Sequence, residues 1–219
     1  MPLLLILLTV VTGVVDAVSY IALGHVFVAN MTGNVVFLGF ALAGASGLSV
    51  PASIAALGAF LVGAVAGGRI AGHWDGHRGR QLRTAAAIAL VPVVLAMVVG
   101  AIVGQPVSEG ARYALIISLG LAMGIQNATA RRLAVPDLTT TVLTLTLTGV
   151  AADSRLAGGN GGHPSRRLIA VAAMFAGALV GALLVVHVDL VVPLGIAAAL
   201  LAISAIAAHR LSAGAPDWA

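Results

Sequence analysis

Cysteine and lysine are both absent from the 219-residue chain. Without cysteine, disulfides, thiolate metal sites and cysteine nucleophiles are excluded. Charge is scarce as well. Asp, Glu, Lys and Arg together make up 8% of the residues, against roughly 25% in soluble domains. So few charges cannot cover a water-facing surface. What is present is apolar: 60% of the chain is hydrophobic, with a mean hydropathy of +1.11. A spanning helix needs ~20 apolar residues, so this length accommodates six to eight spans and no separate soluble catalytic domain. The composition describes an all-α, polytopic transmembrane bundle whose main partner is the lipid bilayer.

The formal charge of +4 comes from eleven arginines. They lie mostly in two loops, as on the cytoplasmic side of a membrane protein, so nucleic acid is not an expected partner. Hydropathy gives eight apolar segments, at about 3–23, 26–46, 51–72, 84–104, 112–130, 133–152, 168–188 and 190–209. The first has no basic flank, since no arginine precedes Arg69. It is expected to remain in the mature protein rather than act as a signal peptide. Helix is expected throughout, because backbone in lipid must satisfy its own hydrogen bonds. The period-two run Thr144–Thr148 is the one strand-like signal. It reads as helix, or as an extended piece buried in protein.

Arginine placement selects the topology. With eight crossings, six arginines face five, which is no bias. With segments 1 and 2 making one net crossing, and segments 5 and 6 another, eight share one side and Arg112 opposes them. Arg131 and Arg132 then sit at the second break. The positive-inside rule favours this arrangement: six net crossings, both termini cytoplasmic, and two broken or re-entrant units.

The two broken units can be superposed. An offset of 107 places Gly13 on Gly120, Val28 on Val135, Thr32 on Thr139, Val35 on Val142 and Leu38 on Leu145. These identities alone carry little weight, but the pattern of apolar segment, break, polar cluster and apolar segment carries more. Gly63/Gly67 likewise fall over Gly177/Gly181. The expected organisation is one membrane domain over 1–210, with inverted halves at about 3–104 and 112–209, and a short polar tail at 211–219. Inverted repeats with interrupted helices point to a transporter whose site lies at the breaks. Duplication of a purely structural bundle is the alternative.

The run from Asp16 to Tyr20, followed by Gly24-His-Val-Phe-Val-Ala-Asn-Met-Thr-Gly-Asn34, resembles the YoaK-like family of small multi-pass bacterial membrane proteins. Gly124-Ile-Gln-Asn-Ala128, Arg131-Arg132 and Thr139-Thr140-Thr141 look like that family's second motif. The resemblance covers essentially the whole chain. It implies a bacterial cytoplasmic membrane location and supplies no substrate.

Candidate site residues are the polar groups inside the apolar segments. Asp16 is the only charged residue among the first 68. An intramembrane carboxylate costs ~2.5–3.5 kcal/mol on insertion scales and marks ion or proton pathways. The alternative is an Asp near a helix end, bonded to local backbone. Asn30 and Asp137 each precede an apolar run as N-cap types, and Pro136 enforces a break before the second. Thr32, Gly33, Asn34, Thr139, Thr140 and Thr141 would fill the first turns of those helices. Their free N–H groups suit an anion or carboxylate, unless they are ordinary caps. Gln126, Asn127, Arg131 and Arg132 approach the second break. The arginines either pair with a buried anion or snorkel to water, and the amides either line the site or bond neighbouring helices. His73-Trp-Asp-Gly-His77 reads as a solvated loop rather than a metal site. The small-xxx-small pairs read as packing sites, with a homo-oligomer face as the alternative. No Walker loop, zinc-peptidase pattern or nucleophile–base pair occurs, so no cofactor, metal or catalytic residue is assigned.

The leading reading is therefore a secondary transporter or permease for a small polar or anionic solute or ion. A structural or regulatory membrane protein is the alternative. A lipid-modifying enzyme is a third, with only Asp16 and His25 available as acid–base groups.

Overall fold

The computed structural model describes residues 2–74, 76–133, 143–159 and 164–212. The described residues form eight α-helices: α1 (Pro2–Ala22), α2 (Met31–Leu42), α3 (Val50–His73), α4 (Arg78–Val103), α5 (Glu109–Leu133), α6 (Leu143–Ala152), α7 (Pro164–His187) and α8 (Val191–Ser212). A single 3-10 turn, Arg155–Ala157, follows α6. Six helices are long and apolar enough to cross a membrane: α1, α3, α4, α5, α7 and α8. The remaining two, α2 and α6, have 12 and 10 residues. At 1.5 Å per residue they reach only about 15–18 Å, roughly half of the hydrocarbon core. The chain is thus a multi-pass transmembrane bundle with its short helices at the two expected breaks. The threonine run 144–148 lies within α6 and is helical. In that helix Thr146 is buried while Thr144 and Thr148 are exposed.

Burial separates inner from outer helices. The most apolar stretches of α1 and α5 are 72% and 67% buried, against 28–39% for the other four spans. The outer helices present large apolar side chains outward, including Leu61, Val62, Val91, Leu95, Phe175 and Val186. In water such a surface would drive association, whereas hydrocarbon is its natural solvent.

The inner helices are held by close backbone crossings, α1 with α7 and α3 with α5. A methyl group at Gly63 would collide with the Leu121 carbonyl, and one at Gly124 with the Phe60 carbonyl. In the other pair, methyls at Gly13 and Gly177 would strike the carbonyls of Met174 and Val10. Lipid offers no hydrophobic drive between helices, so van der Waals contact of this closeness carries the association. The sequence expectation that these glycines serve packing agrees with the contacts. In addition α4 packs on α8 and α5, α1 packs on α8, and α2 and α6 lie against α3 and α7.

The segment after α1 is the unusual piece. Gly24 (φ 93°) ends the helix in the left-handed region, with the His25 N–H donating back to the Tyr20 carbonyl at 3.1 Å. The chain then folds back along α1 instead of leaving the bundle. Leu23, Val26, Val28 and Ala29 are all buried. The His25 ring nitrogen Nδ1 lies 3.1 Å from the Gly47 carbonyl oxygen. That contact joins the end of α1 to the approach of α3, so α2 leaves and returns on one side.

Candidate functional site

Irregular backbone at membrane depth must be satisfied by protein, and two side chains do this for residues 27–29. Asn34, fully buried in the first turn of α2, accepts from the Phe27 N–H at 2.8 Å and donates to the Phe27 carbonyl at 2.5 Å. Its amide copies the two-way pairing of a β-ladder. Asp16 Oδ1 accepts from the N–H groups of Val28 at 3.1 Å and Ala29 at 2.8 Å. Asp16 lies six residues before the end of α1, so the fold-back descends about 9 Å along the helix axis. Tyr20, Phe27 and Phe37 close over it, with ring centroids 5.1–6.0 Å apart. Gly33 leaves room for the Phe27 ring, which a methyl group there would meet at 2.7 Å.

Asp16 belongs to a polar lane. Thr9, Thr12, Asp16 and Ser19 are all buried. Their 3-4-3 spacing puts them on one helical face. Thr9 and Thr12 donate to the carbonyls of Leu5 and Leu8, and Ser19 to that of Asp16. From α5, Gln126 Nε2 donates to the Leu8 carbonyl at 3.1 Å and to Thr12 Oγ1 at 2.9 Å. Among the described residues, two buried side-chain oxygens are left without a partner: Asp16 Oδ2 and Gln126 Oε1. The sequence reading named Asp16 and Gln126 but missed Thr9, Thr12 and Ser19. Their helical spacing around Asp16 was the available signal.

The other expected residues are placed as follows. Asn30 is the N-cap residue of α2, but its side chain makes no capping hydrogen bond. The first-turn N–H groups of α2 fold onto the Asn30 carbonyl instead, from Gly33 at 3.1 Å and from Asn34 at 3.4 Å, while Asp16 accepts from Val28 and Ala29 ahead of the helix. Thr32 is exposed on α2 and does not turn toward Asp16. Asn127 donates to the Met123 carbonyl within its own helix. Arg131 and Arg132 are exposed in the last turn of α5, as snorkelling residues are. Asp137, Thr139, Thr140 and Thr141 lie outside the described residues, as does Asp75 of the His73–His77 loop. In that loop Trp74 lies under the Arg80 guanidinium, 5.3 Å from ring centroid to carbon.

A depression of about 290 Å³ opens at the C-terminal end of α1, lined by Gly24, Gln105 and Arg112 among others. Arg112 is the one arginine expected on the non-cytoplasmic side.

A curated relative, the UPF0700 transmembrane protein YoaK of Bacillus subtilis (strain 168), is 35% identical over 155 residues. The match spans 68% of this chain and 65% of that protein, just under two thirds of its length. No solved structure matches. The family model described as "Protein of unknown function (DUF1275)" matches residues 4–207. The chain belongs to that family.

Proposed function

We propose that the protein is a secondary transporter or permease for a small polar solute, built from two inverted halves in a bacterial cytoplasmic membrane. The observation that carries this reading is the fold-back onto Asp16. A half-length helix and a buried irregular segment meet a carboxylate inside the bundle, the kind of interrupted unit that forms transporter sites. The pairing of helices supports the two halves. Exchanging α1 with α5, α2 with α6, α3 with α7 and α4 with α8 maps α1·α7 onto α3·α5, α2·α3 onto α6·α7, and α4·α5 onto α1·α8. Three spans per half would make the halves inverted.

The solute is read as a hydrogen-bond donor rather than an anion, since both unpartnered oxygens are acceptors. A non-enzymatic role is part of the same proposal. Hydrogen bonds to Asp16 come from backbone amides, not from a second acid or base as lipid chemistry would need. A structural or regulatory role draws on the threonine and serine hydroxyls, which are satisfied within their own helices.

Flux into proteoliposomes, screened over small cations, polyols, amines and carboxylates, is the test. Wild-type protein should accumulate or exchange at least one donor-bearing solute, and Asp16→Asn should insert normally and lose that flux. Unaltered flux in Asp16→Asn would remove Asp16 from the pathway. No flux of any solute would favour the structural reading.

A further inference from the structure

The valences left open on α1 and α5 share one sign. Gln126 is held in one orientation, because the Leu8 carbonyl only accepts and so must face the amide nitrogen. Its Oε1 is therefore the loose end, in a residue 3% exposed. Asp16, 4% exposed, has placed Oδ1 on the N–H groups of Val28 and Ala29, with the Asn30 N–H also facing the carboxyl, and Oδ2 has no hydrogen-bond partner. Thr12, one helical turn from Asp16, donates to the Leu8 carbonyl and receives the Gln126 amide. It keeps one lone pair.

We propose that Asp16 Oδ2 and Gln126 Oε1, with the Thr12 Oγ1 that Gln126 already contacts, hold a monovalent cation, H⁺ or Na⁺, between α1 and α5. As a proton, it would bond to Oδ2, and the resulting O–H would donate toward Oε1, directly or through one water. As Na⁺, it would take the three oxygens as ligands. Basic and other titratable groups on the packed elements stand toward helix ends: Glu109, Arg112, Tyr113, Arg131 and Arg132 on α5, Arg166, Arg167 and His187 on α7, His209 and Arg210 on α8, Arg69 and His73 on α3, and Arg78, Arg80 and Arg83 on α4. His25 is in the fold-back, and Tyr20 is the other titratable side chain of α1. The polar contacts of the Asp16 carboxyl are backbone N–H groups. The inference deepens the transport reading, and names the coupling or transported ion.

The test uses the full chain in detergent, treated with dicyclohexylcarbodiimide, a hydrophobic reagent that adds to protonated carboxyls. Intact mass should show one adduct, mapped to Asp16 and reduced at least about tenfold in Asp16→Asn. Suppression by alkaline pH, with no effect of Na⁺ over choline, identifies the proton. Suppression by Na⁺ and not choline at fixed pH identifies sodium. In Gln126→Leu the cation concentration for half-effect should shift by about tenfold, a change that a merely structural glutamine would not cause. An infrared carboxylic-acid band that disappears in Asp16→Asn provides a second reading if the reagent cannot enter. Lack of both adduct and band, with no Na⁺-dependent thermal shift, overturns the proposal, as does an unchanged cation dependence in Gln126→Leu. Binding is read here without flux. A protein that binds the cation but moves no solute keeps this site and loses the transport reading, and the converse result separates them the other way.

Discussion

Replacing Gly63 by alanine puts the glycine crossings to a quantitative test. A methyl group there meets the carbonyl oxygen of Leu121 and, at 2.9 Å, its Cα. The obstacle is backbone of α5, so no rotamer change relieves it and the two helices must part. Overpacking a tight contact costs about 1–3 kcal/mol, and an obstacle of backbone belongs at the upper end. Alanine returns about 0.8–1 kcal/mol of helix propensity over glycine. The net loss is then about 2 kcal/mol, a shift of roughly 4–8 °C in midpoint for a chain of this size. Gly68, five residues along the same helix, is the internal control, since nothing lies within 4 Å of its added methyl. Gly68→Ala should be neutral or stabilising by up to about 1 kcal/mol. Thermal unfolding of both variants in one detergent, followed by intrinsic fluorescence or by loss of the monodisperse peak, reads the difference. Equal midpoints for Gly63→Ala and Gly68→Ala would show that α3 and α5 do not cross at Gly63.

Gly177→Ala should lose a similar amount, because its methyl meets the Val10 backbone in the α1·α7 crossing; a midpoint equal to wild type would contradict that crossing. Asn34→Ala should free both polar groups of Phe27, at about 1–3 kcal/mol for each buried orphan. Hydrogen exchange over 23–30 should quicken before the rest of the bundle, and uniform protection there would deny Asn34 its stapling role. The arginine asymmetry predicts a cytoplasmic Ser165, in a chain with no competing cysteine. Ser165→Cys labelled by an impermeant thiol reagent in intact cells would refute the six-crossing topology. Arg167 donates to Asp153 at 2.6 Å with the acid half exposed, so Asp153→Asn should change stability by less than about 1 kcal/mol; a larger loss would show that this loop is more than a solvated link.

Hydropathy and arginine counting located the spans because lipid imposes one rule on every residue of a span. The six long helices and two short ones follow from that rule and from the breaks at Asn30 and near Pro136. Segment ends moved by several residues where a polar residue was helical, as at Arg78, which starts α4 six residues before the apolar run. The fold-back was not legible in the same way. Val26, Val28 and Ala29 are apolar and fall in the segment 26–46, ahead of the helix expected to start at Asn30, and they form buried irregular chain. The conformation of 27–29 depends on a carboxylate twelve or thirteen residues before Val28 and Ala29 and an amide seven residues after Phe27, and periodicity is blind to such partners. Asp16 itself was visible as an anomaly of charge. Its task was not, because the backbone it holds, at Val28 and Ala29, lies in a separate apolar run.

The arrangement of contacts also says where such a bundle can move. Parting α1 from α7, or α3 from α5, would open crossings in which glycine faces backbone carbonyl, and close-packed surfaces of this kind shift as units. Between α1 and α5 the contact is sparser and includes the hydrogen bonds from Gln126 to Leu8 and Thr12. Hydrogen bonds of that kind are worth about 0.5–1.5 kcal/mol each and can be exchanged for water. The seam of least resistance therefore runs between the two inner helices, and Asp16 Oδ2 and Gln126 Oε1 belong to the helices on its two sides. A cation seated between them would tie the helices together, and its departure would leave two acceptors of like sign on opposite sides of the seam. Occupancy and helix position are then coupled through the same atoms, which is the physical requirement for an ion to drive alternation between two states.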